Sequence, residues 1–266
     1  MAVFAPSVPC WVDAQLPDLE AGKRFYGELF GWTFRAGEGP YADAYGGGRL
    51  VAALAAKRDG RMPTGWEIYF ATGDIMAGAA RIRAAGGQMI TEPVRAGRAG
   101  LLAQAADPGG AVFGLWQAGE RAGFEKWNEP GSFCWTEVYT RHKEAVDAFY
   151  EEVFGYRGTD LDDSGTAESG LDFRMWSPAG TEPGPDTAIC GRSVITDALP
   201  AEMPSYFLTY FAVEDCNGVA GHAVRLGGRI SAPPFDIPYG RMAVLQDDQG
   251  AVFAVLQPPL SGKGAE

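Results

Sequence analysis

Histidine is scarce in this chain. There are two among 266 residues, His142 and His222. The first falls in a turn before a helix and the second within a helix, both ordinary surface positions, so a metal ion held by imidazoles has little to draw on. Cysteine is nearly as sparse. The four residues Cys10, Cys134, Cys190 and Cys216 include no CxxC and no Cys/His pair at zinc spacing. Reduced, mostly buried thiols and a cytoplasmic location are the expectation. Basic charge is outweighed, with 22 Lys and Arg against 34 Asp and Glu, a net charge of −12. Such a chain repels nucleic acid and anionic lipid, so neither is an expected partner, and the acidity serves solubility. No run approaches the ~18 apolar residues of a membrane helix. The start, MAVFAPSVPCW, lacks the basic and apolar segments of a signal peptide. No GKS/T follows Gly46-Gly47-Gly48, which reads as a hairpin turn and not a phosphate loop.

What the chain has is repetition. CWVDAQLPDLEAGKRFYGELFGW (Cys10–Trp32) aligns without gaps to CWTEVYTRHKEAVDAFYEEVFGY (Cys134–Tyr156). WEIYFATGDIMAGAARIRAAGG (Trp66–Gly87) matches FLTYFAVEDCNGVAGHAVRLGG (Phe207–Gly228), and DPGGAVFGLWQ (Asp107–Gln117) matches DDQGAVFAVLQ (Asp247–Gln257). Three matching segments in one order mean a duplicated domain. With 46% hydrophobic residues, each copy can bury a core. The expected organisation is a first domain over 1–117, a polar linker over 118–131 and a second domain over 132–266.

Each half is itself double. Cys10–Gln15 alternates and reads as a strand, Pro17-Asp18 opens a helix, and Gly31 closes it. Tyr45–Ala56 reads as a hairpin with glycines at its turn. The pattern restarts at Trp66, with Asp74 as N-cap, Ala79, Ile82 and Ala85 as an apolar stripe, and Gly86-Gly87 as the stop. Leu101–Ala105 and Ala111–Trp116 form a closing hairpin. The second half repeats this order, with a helix from about Lys143, strands through Arg174–Trp176 and Ala188–Ser193, a strand at Leu208 and a helix from Cys216. Thr159–Ser169 reads as a polar loop. The unit is strand, helix and about three strands, written four times, an α+β chain.

The motifs FYxxLFGW (Phe25–Trp32), NEPGSFCW (Asn128–Trp135), FYxxVFGY (Phe149–Tyr156), DPxGAxF (Asp107–Phe113) and GRMAVLxDxxGAVF (Gly240–Phe253) resemble the vicinal oxygen chelate superfamily of glyoxalase I, extradiol dioxygenases and bleomycin-resistance proteins. The resemblance runs from about Pro9 to Gln257 and is to the tandem, two-domain actinobacterial glyoxalase-like branch. The second closing motif departs from the pattern, with Asp248 where Pro is usual. The resemblance implies two tandem glyoxalase-like domains, four βαβββ modules forming curled mixed sheets around clefts. It also implies metal-ligand positions, which fall here on Trp11 and Trp135, on Glu67 and Leu208, and on Gly114 and Ala254. One further ligand position, in the hairpin of the first module, does not align securely. Only Glu67 of the six can coordinate, so no metal and no cofactor are expected.

If Trp11 faces a cleft, alternation brings Asp13 and Gln15 with it. The matching trio is Trp135, Glu137 and Tyr139. Tyr69 and Tyr210, and Trp116 beyond Gly114, complete the expected linings, with Gly114 and Ala254 leaving room. Aromatic walls with a few carboxylates suit a planar small molecule, with a cationic group as an option. The indoles serve equally as core plugs, and Asp13 and Glu137 as ordinary hydrogen-bonded carboxylates. The expectation is metal-independent binding, sequestration or carriage, of a small aromatic molecule such as a secondary metabolite or drug. The alternative is a metal-free isomerase, cyclase or hydroxylase-associated enzyme in which Asp13, Glu67 or Glu137 is general acid/base. A third possibility is a degenerate scaffold that holds another enzyme's product. Monomer and homodimer both stay open.

Overall fold

A computed structural model describes residues 4–161, 172–196 and 200–259. The first module is β1 (Pro9–Leu16), α1 (Leu19–Phe30), β2 (Thr33–Ala36), β3 (Tyr41–Gly46) and β4 (Arg49–Ala56). The second is β5 (Gly65–Ala71), α2 (Ile75–Ala84), β6 (Gln88–Ala96), β7 (Gly100–Ala106) and β8 (Val112–Ala118). The third is β9 (Phe133–Thr140), α3 (Lys143–Phe154), β10 (Arg157–Asp160), β11 (Phe173–Ser177) and β12 (Cys190–Val194). The fourth is β13 (Tyr206–Ala212), α4 (Cys216–Arg225), β14 (Arg229–Ile237), β15 (Gly240–Gln246) and β16 (Val252–Gln257). The strands form two open, eight-stranded mixed sheets, ordered β2-β3-β4-β1-β5-β8-β7-β6 and β10-β11-β12-β9-β13-β16-β15-β14.

Local sequence accounts for the boundaries. The Asp18 carboxylate accepts from the Glu20 and Ala21 amides at 2.9 and 3.0 Å, and Asp74 caps α2 in the same way, so each satisfies amides that the first turn leaves open. Gly31 ends α1 at φ +69°, a conformation that costs glycine little. In α2, Ala79 and Ile82 are buried, while Ala85 lies just past the helix as its half-exposed cap. The β3–β4 hairpin starts at Tyr41, four residues before the expected Tyr45, and turns at Gly47 and Gly48, both at positive φ. Strands β2, β6, β10 and β14 escape the sequence reading because their residues are largely exposed and carry little apolar alternation. Of the expected polar loop Thr159–Ser169, Thr159 and Asp160 finish β10 and 162–169 lie outside the described residues.

Packing groups the chain into two compact units that cut across its two halves. One contains Met1–Trp11, Glu67–Gly123 and Thr136–Leu208, and the other Val12–Trp66, Phe124–Trp135 and Thr209–Glu266. The first unit thus joins most of modules two and three, and the second most of modules one and four. In the first unit Phe70, Phe113, Phe149 and Phe154 pack edge to face or tilted, with centroids 5.1–6.1 Å apart. In the second, Tyr26, Phe30, Trp66, Phe211 and Phe253 do the same at 4.9–6.1 Å. The FY motif rings and the following Phe of one half thus lie on the first and last strands of the second module of the other half, β5 and β8 or β13 and β16, and in the second unit Trp66 of β5 joins them. Each ring buries a large apolar area, and edge-to-face contact adds about 0.5–1.5 kcal/mol per pair.

The same exchange fixes the closing turns. Tyr150 donates to Asp107 Oδ2 at 3.2 Å in the first unit, and Tyr26 donates to Asp247 Oδ2 at 3.0 Å in the second. Asp107 also accepts from the Ala111 amide, and Asp247 from the amides of Gln249 and Ala251. Each motif tyrosine therefore ties down the turn aspartate of the opposite half. The matched cysteines have a local reason too. The Cys10 thiol donates to the Tyr69 carbonyl at 3.5 Å, and the Cys134 thiol to the Tyr210 carbonyl at 3.6 Å. Burial pushes both thiols upward, which leaves them protonated and poor nucleophiles.

Candidate functional site

The face of each module away from its helix carries the candidate residues. In the second unit, β1, β4 and β3 lie side by side. Asp13 pairs with Ala53, and Ala53 with Asp43. Gln15 pairs with Ala55, and Ala55 with Tyr41. Cross-strand partners share a face, and so do residues two apart. Two buried aspartates therefore flank Ala53, roughly 9–10 Å apart at two strand spacings, and Gln15 and Tyr41 flank Ala55 in the adjoining row. The Gln15 amide donates to Asp13 Oδ1 and to the Tyr41 hydroxyl, both at 3.3 Å. Asp13 and Asp43 are 3% and 5% exposed, burial that a carboxylate tolerates only with hydrogen-bond support. Tyr41 and Asp43 were not among the expected site residues. Their signal is the alternation Tyr41-Ala42-Asp43-Ala44-Tyr45.

In the first unit, Tyr69 and Gln104 pair with Gly114 from either side. Gln104 donates to Glu67 Oε2 at 2.7 Å. A Cβ at Gly114 would come within 2.1 Å of Tyr69 Cδ1. The room left by this glycine is thus filled by the tyrosine ring. Trp11 is buried in the same unit, and the Arg121 guanidinium lies 5.1 Å from its ring centroid. Trp116 is buried and donates from Nε1 to the Arg121 carbonyl at 3.0 Å. Residues 118–123, expected as plain linker, therefore carry a cation onto an indole.

Module three, also in the first unit, repeats the module-one rows with other side chains. Glu137 pairs with Gly191, and Gly191 with Met175. Tyr139 pairs with Ser193, and Ser193 with Phe173. The Phe173 ring leans over Gly191, where a Cβ would meet Phe173 Cζ at 2.8 Å. Tyr139 stacks on Tyr206 at 5.1 Å and 6°. Glu137 is 5% exposed. In the second unit, module four offers Tyr210 beside Ala254, Val244 beyond it, and Leu256 beside Met242, an apolar face. Trp135 is half-buried on β9.

The expected site residues thus divide. Asp13 and Gln15 come together with Tyr41 and Asp43. Glu67, Tyr69 and Gly114 come together with Gln104, and Trp11 and Trp116 meet through Arg121. Glu137 and Tyr139 share a face with Met175, Phe173 and Ser193. Tyr210 and Ala254 are neighbours. A divalent ion needs three or four donors at one point. Trp11 and Gly114 offer none, and Glu67, whose Oε2 accepts from Gln104, is a single donor. The β4 residues that share the Asp13 face, Ala53 and Ala55, offer none either. No group of three His, Cys, Asp or Glu able to hold an ion occurs among the described residues. These side chains do not fit a resident metal. His142 is exposed at the start of α3, and His222 is half-exposed on α4. No helix among the described residues is long and apolar enough to cross a membrane.

The sequence model of the glyoxalase/bleomycin resistance protein/dioxygenase superfamily matches residues 11–115. A putative glyoxylase, CFP32, of Mycobacterium tuberculosis (strain CDC 1551 / Oshkosh) is 35% identical over 264 residues, covering 96% of this chain and 96% of the relative. The anthracycline biosynthesis protein DnrV of Streptomyces peucetius is 34% identical over 275 residues, covering 97% and 95%. Among solved structures, a Mn(II)-bound glyoxalase from Novosphingobium aromaticivorans superposes with a TM-score of 0.64 at 16% identity, over 95% of this chain and 83% of that one. A catechol 2,3-dioxygenase superposes with a TM-score of 0.61 at 12% identity, over 98% and 92%. At these identities the structural likeness speaks for the fold alone.

Proposed function

From the premise that the chain belongs to the glyoxalase/bleomycin resistance protein/dioxygenase superfamily, we propose that it binds a planar small molecule of secondary metabolism without the aid of a metal ion. The observation that carries this reading is the change of donor set. Where the family resemblance places ion ligands, this chain has an indole at Trp11, a glycine covered by the Tyr69 ring, and one glutamate, bonded to Gln104. What remains is aromatic surface with a few oriented polar groups, the general make-up of a small-molecule site. Flat rings favour flat partners. The 34% identity to an anthracycline biosynthesis protein supports a fused-ring ligand in particular. Asp13, Asp43 and Glu137 would favour an amine or another hydrogen-bond donor on that ligand. Two domains in tandem over 1–117 and 132–266, acting as a monomer or homodimer in the cytoplasm, complete the proposal.

Titration of the full chain with a panel of planar aromatics, followed by tryptophan fluorescence, tests it. Saturable quenching with the same midpoint in EDTA and in added Mn²⁺ is expected. A midpoint that appears only with metal overturns the reading. A second reading, acid/base catalysis, is favoured by one observation: Gln15 orients the buried carboxylate of Asp13. It requires turnover of the bound compound that falls at least a hundredfold in Asp13→Asn, Glu67→Gln or Glu137→Gln.

A further inference from the structure

Two matched sheet edges are guarded differently. β6 ends the first sheet and β14 the second. They align residue for residue, Gln88–Ala96 with Arg229–Ile237, and their register slips at the same two places. Both carry proline at the matched sites Pro93 and Pro234, and β14 has a second at Pro233. Proline donates no amide, and the Pro234 carbonyl already accepts from Arg241 at 3.1 Å, so β14 is ill suited to take on a further strand. The side chains along the edge are where the copies part. In module two an ion pair between Arg83 of α2 and Glu92 of β6 lies there. The matched residues in module four are Val224 and Pro233, both exposed. Val224, Ile230 and Phe235 are 48%, 41% and 42% exposed. This apolar stretch ends in opposite charges, with exposed Arg229 before it and exposed Asp236 after it. Asp236 Oδ1 accepts from Arg241 at 2.8 Å, yet its side chain stays 78% exposed, which leaves the carboxylate open to a second cation. At the same two positions β6 has Gln88 and Arg95.

We propose that the β14 edge docks on the β14 edge of a second copy of this chain, the two strands running antiparallel across a two-fold axis. A two-fold contact needs a patch that is complementary to itself. Antiparallel approach brings the Arg229 end of each β14 to the Asp236 end of the other, so opposite charges meet twice, and the apolar stretches between them cover one another. The prolines confine the contact to side chains and keep it from growing into a hydrogen-bonded ladder. The β6 edge fails the same test. There the approach would set Arg95 against Gln88 and strip water from the Arg83–Glu92 pair. The net charge of −12 on each copy opposes association at long range, and salt screens that repulsion beyond about 8 Å at physiological ionic strength. A stripe about 20 Å long is at the small end of specific interfaces, so the dimer is expected to be weak, with a dissociation constant on the order of 1–100 μM.

Sedimentation velocity of the full chain over a concentration series tests this. Arg229→Asp and Asp236→Arg each set like charges together at both contacts, and each should weaken the dimer roughly tenfold or more. Mixed in equal amounts, the two variants should associate with one another about as tightly as the unaltered chain, because each supplies the charge that the other has lost. Arg95→Asp, the same change of net charge at the matched place on β6, should leave the dissociation constant within about threefold. Val224→Arg with Pro233→Glu installs the ion pair of module two and should abolish association. Circular dichroism and Tm of each variant confirm the fold. An unaltered chain that stays monomeric up to about 1 mM overturns the proposal. A dimer that survives both single charge variants and the Val224/Pro233 double variant overturns this surface as its interface. A mixture that associates no better than its separate components overturns the antiparallel arrangement.

Discussion

Modules one and three share a backbone pattern and invert its chemistry. Asp13 and Gln15 in the first correspond to Glu137 and Tyr139 in the third, Ala53 and Ala55 to Gly191 and Ser193, and Asp43 and Tyr41 to Met175 and Phe173, through the same strand pairings. On this face module one is polar over a low floor, whereas module three is covered by its own rings. On the opposite face the roles reverse. Leu54 is fully buried in module one, and its counterpart in module three is Arg192, 2% exposed. Arg192 makes a two-pronged contact with Asp147 at 3.2 and 3.1 Å and a third bond to Asp172 at 2.5 Å. Duplication kept the scaffold and a buried carboxylate at Asp13 and Glu137, and module three then added a charged cluster on the other side of the sheet. An internal ion pair in module three is a matter of structure, and the buried carboxylates of module one are the better candidates for ligand contact.

The sharpest way to break the comparison is to cut the ion pair. Burial raises the Asp147 pKa despite the nearby Arg192, so desolvation outweighs attraction there. Asp147→Ala removes the two-pronged contact and leaves the buried Arg192 with Asp172 alone, which should cost about 3 kcal/mol. The double variant Asp147→Ala/Arg192→Leu, which copies the Leu54 solution, should recover most of that loss. Urea denaturation of both variants measures it. A double variant as unstable as the single one would mean that the guanidinium is needed for more than its partner.

The two tyrosine–aspartate ties give the next largest effect. Burial pushes the Asp107 carboxyl up to about 6 from 3.8, and burial raises Asp247 as well. A raised native pKa means that the folded chain holds this proton more tightly than the unfolded chain. The stability it supplies is therefore complete below about pH 4 and lost as pH rises through about 6, up to about 3 kcal/mol over that window. Asp107→Asn should flatten the wild-type fall in urea midpoint between pH 4 and 6. An unchanged slope in the variant would assign that window to other groups. Asp247→Asn sharpens the contrast, because Tyr26 also accepts from Trp66 Nε1 at 3.0 Å, while the position matching Trp66 is Phe207.

What the sequence revealed and what it hid divide along a physical line. The fourfold module, the aspartate caps at Asp18 and Asp74 and the glycine turns are local patterns, and each was legible. The grouping of module two with three, and of one with four, depends on contacts between motifs more than 40 residues apart in the chain, such as Tyr150 with Asp107, and no local period encodes those. Asp43 and Tyr41 were missed because strand β3 was started too late, and one alternating stretch would have corrected it. Arg121 was missed for a different reason. A polar residue in a Gly-containing connector looks like solvent-facing linker, and only the fold brings it over Trp11. The reading of Gly114 as open space assumed that a small residue faces emptiness, whereas its neighbour Tyr69 turned into the gap.

At one buried position modules two and four differ by a hydroxyl. Ile68 is fully buried, and its counterpart Thr209 is too, with no hydrogen-bond partner for Oγ1 among the described residues. An unmet buried hydroxyl costs about 1–3 kcal/mol, and an apolar isostere removes that cost. Thr209→Val is expected to raise stability by about 1 kcal/mol, a gain in Tm of a few degrees. A loss of stability would show that the hydroxyl has found a partner.

The smallest expected effect compares the helices that follow β1 and β9. Asp18 caps α1 through its carboxylate, whereas His142, at the same place before α3, makes no side-chain cap bond. Its backbone sits at φ −111° and ψ 51°, away from the extended geometry of Asp18 at −128° and 108°, and its amide is already bonded to Thr140 Oγ1 at 3.1 Å. The exposed position leaves room for a shorter side chain to turn back on the first-turn amides. His142→Asp would add that cap and place negative charge at the helix start, where the peptide dipoles favour it. The two effects sum to about 0.5–1 kcal/mol if the backbone can relax toward the Asp18 conformation. A rise in Tm of a few degrees, matched by slower hydrogen exchange at the first amides of α3, is the expected result. Unchanged exchange there would mean that the Thr140 bond holds the chain in a geometry no cap can use, and that the two helix starts differ in backbone as well as in side chain.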